Sequence, residues 1–125
     1  MIRLKYKLNK LRAHFQRFKR GYAYTDVWNM DCWFIETIRP MLIHLRDNSV
    51  GCPYLCEDLD ENERRWKDIL TQMIVYLENM DEDNLIKDYE SVGLCVDNER
   101  IYKAMNENKD KFFELFSKYF WCLWD

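Results

Sequence analysis

Apolar positions recur with a helical period along most of the chain. Leu4, Leu8, Leu11, Phe15 and Phe18 follow one another at steps of four, three, four and three, which draws one stripe along a helix over residues 1–20. Gly21 stands where a glycine most often ends a helix, and Lys19 and Arg20 suit the negative end of its dipole. A second helix is expected from Thr25 or Asp26 to about Asp47. Trp28, Cys32, Ile35, Leu42 and Leu45 line one of its faces, while Val27, Met30, Phe34, Ile38 and Met41 cover others, a pattern that predicts a central, buried helix. Pro40 removes a backbone donor inside it and predicts a kink near residues 37–39.

Asn48 to Leu59 reads as a loop around Gly51 and Pro53. Asp60 followed by Glu63 resembles a capping box, and Trp66, Leu70, Met73, Leu77 and Met80 give the stripe of a third helix. The segment from Met80 to Gly93 is ambiguous between a short helix and a loop. A last helix is expected from about Asn98 to the C-terminus, with Met105, Phe112, Phe116, Phe120 and Leu123 as its seam. The pattern thus predicts an all-α, single-domain antiparallel bundle of about four helices over residues 1–125, the first a basic amphipathic arm or appendage.

Composition supports a packed helical globule: 48% of the 125 residues are hydrophobic and 16% aromatic, with only three Gly and two Pro. No apolar run is long enough to span a bilayer, and no signal peptide is legible. The five cysteines are odd in number and make a poor disulfide framework, which favours a reducing cytoplasm. Charge is unevenly distributed. Residues 1–20 hold eight of the 19 basic residues and no acid, leaving a body with 11 bases against all 22 acids. The basic arm suits nucleic acid, anionic lipid or a phosphorylated ligand, or it lies on its own acidic body.

Catalytic patterns are sparse. Two histidines, His14 and His44, form no nucleophile–base series, and glycine-rich phosphate loops are missing. Cys52 and Cys56 have a spacing that zinc permits, but no second pair accompanies them, so thiols are the simpler reading. Asp26, Asp31 and Glu36 stand five residues apart and do not share one helical face, which disfavours a di-metal site. No cofactor or metal is therefore assigned.

The densest chemistry lies in "GYAYTDVWNMDCWF", residues 21–34. Its aromatics can stack on a base while arginines take phosphate and Asp or Asn take polar edges. Arg17, Arg20, Tyr22, Tyr24, Asp26, Asn29, Trp33 and Arg39 are the candidate ligand- or partner-binding residues, together with Trp121 and Trp124 near the C-terminus. Trp28 falls on the stripe with Cys32 and Ile35 and is expected in the core, whereas Asp26 and Trp33 fall off it and are the better site candidates.

Gly21, Tyr22, Asp26, Trp28 and Asp31, the Gly51–Pro53 turn, "RRWKDILTQMI", and Tyr119, Phe120, Leu123 and Trp124 give the chain its resemblance to a family of small uncharacterised proteins of tailed bacteriophages and prophages. The family's turn usually reads His-Gly-Tyr-Pro, whereas this chain has Val50, Gly51, Cys52 and Pro53. The resemblance covers most of residues 20–80 and 112–125 and carries no activity. It implies a protein made in the host cytoplasm during infection. The resulting expectation is a non-enzymatic binding protein that inhibits host defence, by gripping a defence protein or by sequestering a nucleotide second messenger. The rival is an accessory factor of phage DNA metabolism that uses the basic arm on nucleic acid, and a homo-oligomer is compatible with either.

Overall fold

The computed structural model describes all 125 residues, and its regular structure is all helical, without a β-strand. There are five α-helices, α1 (Ile2–Arg20), α2 (Met30–Asn48), α3 (Leu59–Glu78), α4 (Glu82–Ser91) and α5 (Asn98–Lys118), with a 3-10 turn at Tyr24–Asn29 between α1 and α2 and another at Phe120–Cys122 after α5. The fifth helix, beyond the expected four, is α4, in the segment that the sequence left ambiguous. Asp81 caps it by accepting from the N–H groups of Asp83 and Asn84. The chain falls into two compact units, Met1–Phe34 and Ile35–Asp125, so the division lies inside α2 and not at Gly21, where the charge balance changes.

In the larger unit α3 is the buried element. Trp66, Leu70, Met73 and Leu77 are almost inaccessible, as their spacing predicts, and Met80 at the end of that stripe is half-buried. Helix α5 packs on α3 and on α4, bringing Ile101 and Phe112 into the same core. Trp66 meets the Tyr119 ring edge-on at 5.8 Å, tying the first turns of α3 to the residue just past α5. Asp58, not Asp60, caps α3, by accepting from the N–H of Glu61 at 2.8 Å. Helix α5 begins at Asn98 as expected but ends at Lys118, where the backbone tightens into the 3-10 turn.

One buried polar side chain organises the α2–α3 loop. Asn62, 3% exposed, accepts from the backbone N–H groups of Leu55 and Cys56 and donates to the Pro53 carbonyl at 2.7 Å and to Cys52 Sγ at 3.1 Å. All of its bonding capacity is met internally, which is what makes its burial tolerable.

Helix α2 corrects the sequence reading. Pro40 stands inside it, and Leu42 is its only buried residue. The central helix of the larger unit is therefore α3, where the pattern predicted α2. The apolar residues around α2 describe composition, whereas burial follows the neighbours that pack against a helix, and here those gather on α3 and α5. The helix also starts later than expected, at Met30, because residues 24–29 wind as a 3-10 turn.

Candidate functional site

The smaller unit carries most of the nominated residues. Helix α1 ends at Gly21, whose φ of 83° is open to glycine and strained for other residues, and whose N–H returns to the Arg17 carbonyl at 2.8 Å. The reversal lays the 3-10 turn back on α1. Arg17 grips Asp26 through two bonds, Nη2 to Oδ1 at 2.6 Å and Nε to Oδ2 at 3.0 Å, and Oδ2 also accepts from the buried Ala23 N–H at 2.7 Å. The Arg17 bonds, then the Ala23 N–H, hold the Asp26 carboxyl below the usual carboxylate range, against a smaller opposing effect of burial. Gln16 Oε1 accepts from the Tyr24 N–H at 2.9 Å, and Arg20 donates from Nε to the Tyr22 carbonyl at 3.1 Å while its guanidinium lies 4.6 Å from the Tyr22 ring centre. Asp26 is thus a structural clasp before it is a ligand contact.

Two clefts result. The larger, about 660 Å³ and open to solvent, is walled by Tyr24 and Trp28 on one side and by Asn9, Arg12, Gln16 and Arg20 of α1 on the other, with Ala13 and Thr25 completing the lining. No carboxylate lines it. Tyr24 and Trp28 meet edge to face at 5.9 Å and are both exposed. The smaller cleft, about 320 Å³ and mostly apolar, brings Tyr22, Asp26 and Trp33 together with Val27 and Met30.

Trp28 is the main correction at the site. It is 69% exposed, not buried, while Trp33, expected at the surface, is half-buried. A 3-10 turn advances by about 120° per residue where an α-helix advances by about 100°, so the face drawn back from Cys32 and Ile35 does not continue through residues 24–29. Of the other nominated residues, Tyr22, Asp26 and Trp33 share one cleft and Arg20 and Tyr24 the other, while Arg17 holds Asp26. Asn29 ends the 3-10 turn, exposed and outside both clefts. Sequence reasoning missed Asn9, Arg12, Gln16 and Thr25. For Asn9, Arg12 and Gln16 the available signal was their position on α1 outside the Leu/Phe stripe, which becomes informative once Gly21 is known to fold the chain back, whereas Thr25 lies on the 3-10 turn and joins them only through that reversal.

Arg39 and the C-terminal tryptophans belong to the larger unit. Arg39 pairs with Glu78, Nη2 to Oε1 at 2.7 Å, beside a shallow cleft that includes Glu36 and Asp81. Trp121 is exposed against the edge of Phe120, and Trp124 borders an apolar groove with Met41, Leu45 and Phe116. Val50 N–H donates to Asp125 Oδ1 at 3.2 Å, which fastens the C-terminus near the loop. The five cysteines are thiols, and no three of the His, Cys, Asp and Glu side chains stand close enough to hold a metal ion. Comparison with protein-family models, with characterised proteins and with solved structures finds no match to this chain.

Proposed function

We propose that the chain is a binding protein that holds a nucleotide in the larger α1 cleft, and that sequestering such a signal from a host defence system is its role. The observation that carries this reading is the pairing of Tyr24 and Trp28 opposite Arg12 and Arg20 in a cleft without an acidic wall. Aromatic faces take the base, the guanidinium groups take phosphate, and Asn9, Gln16 and Thr25 offer polar edges. The resemblance to phage-encoded proteins supplies the anti-defence context.

Calorimetric titration with mononucleotides and cyclic dinucleotides tests it. Stacking on one aromatic is worth roughly 1–3 kcal/mol, so Trp28→Ala is expected to weaken binding by about fivefold to 150-fold without changing the circular dichroism spectrum. Arg12→Ala is expected to act in the same direction. A wild-type chain that binds none of these nucleotides at moderate salt rejects the reading. If a single-stranded oligonucleotide binds instead, with steep salt dependence and little effect of Trp28→Ala, the basic arm is acting on nucleic acid.

A further inference from the structure

The apolar stripe of α1 is not used to pack its own unit. Leu4, Leu8, Leu11, Phe15 and Phe18 are between 57% and 90% exposed. At about 100° per residue they occupy an arc of roughly 80°, and Ala13, the α1 residue set opposite them, is half-buried on the side where Gln16 and Arg17 bond to the 3-10 turn. The stripe therefore looks away from the turn of its own unit.

The borders of the stripe are cationic. Lys7 follows one edge, Lys5, Arg12 and Lys19 follow the other, and Arg3 and Lys10 lie further round, with no acid in the first 20 residues. The spacing of the stripe would serve a coiled coil, but two copies of α1 would then place lysine and arginine at the flanking positions of both helices, where like charges repel. Nucleic acid would engage the cations and leave five large apolar side chains in water. An anionic bilayer surface satisfies both features, because leucine and phenylalanine enter the boundary between headgroups and acyl chains while lysine and arginine reach anionic headgroups along their apolar stems. No helix of the structure is long and apolar enough to cross a membrane, so the contact is one of lying on the surface.

We propose that α1 is an interfacial helix that binds an anionic lipid surface through the Leu4–Phe18 stripe and its basic borders. The test is cosedimentation of the full chain with vesicles of phosphatidylglycerol and phosphatidylcholine, against vesicles of phosphatidylcholine alone. Binding is expected to the anionic vesicles only and to weaken with salt. Leu8→Glu, at an exposed position, is expected to reduce it at least tenfold with the helical spectrum retained, and Lys5→Gln or Lys7→Gln by about fivefold each. Trp28→Ala, which removes one wall of the nucleotide cleft, is expected to leave it unchanged, so the two proposals fail separately. Absence of partition into anionic vesicles overturns the proposal, as does partition insensitive to Leu8→Glu. Light scattering that reveals a dimer dissolved by Leu8→Glu, with no vesicle binding, assigns the stripe to a second copy of the chain instead.

Discussion

Arg17 and Asp26, nine residues apart, form a two-pronged ion pair at 2.6 and 3.0 Å that clasps the 3-10 turn to α1. The clasp builds both clefts of the smaller unit, because it fixes where Tyr24 and Trp28 stand relative to Arg12 and Arg20. Asp26→Asn can still accept from the Ala23 N–H but loses the ionic grip, and should cost up to about 1 kcal/mol by urea denaturation. Asp26→Ala removes the cap as well and should cost about 1 kcal/mol more. A nucleotide titration of Asp26→Asn that matches wild type would separate the clasp from the cleft's function.

The same pair makes stability depend on acid. The folded Asp26 carboxyl titrates below its unfolded value of about 3.9, so its contribution is complete at neutral pH and disappears as pH falls through the folded value. Wild type should therefore lose stability below about pH 4 more steeply than Asp26→Asn, which lacks the titrating group. Parallel acid-dependence curves for the two proteins would contradict this.

Asn62 holds the α2–α3 loop from within. Asn62→Ala leaves the Leu55 and Cys56 N–H groups and the Pro53 carbonyl without their partner, and should destabilise the protein by about 3 kcal/mol. Cys52, freed from the amide, should react faster with a thiol reagent in the native protein than it does in wild type.

The two tryptophans that the stripes treat alike should behave differently. Trp66→Ala empties a site 2% exposed and should cost about 3–5 kcal/mol, whereas Trp28→Ala, at an exposed position, should stay within about 0.5 kcal/mol of wild type. Chemical denaturation of both variants decides it.

Pro40 lies at an exposed position in the middle of α2 and cannot donate to the Glu36 carbonyl. Pro40→Ala restores that bond and should raise stability by about 1 kcal/mol, less than the full helix-interior penalty of proline because alanine also loosens the unfolded chain. A lower denaturation midpoint would mean that the surrounding packing depends on the proline.

The sequence by itself determined what is local. The α3 stripe from Trp66 to Leu77, the glycine stop at Gly21 and the start of α5 at Asn98 are all legible, because a helix's period and its caps depend on residues within a few positions of one another. Tertiary structure decided which apolar faces are covered. Leu4 to Phe18 and Trp66 to Leu77 are equally regular stripes, yet the first is exposed and the second buried, since burial depends on what distant segments bring to the face. The larger cleft was hidden for the same reason: Arg12 and Trp28 are sixteen residues apart and become neighbours only because Gly21 reverses the chain and the Arg17–Asp26 pair holds it there.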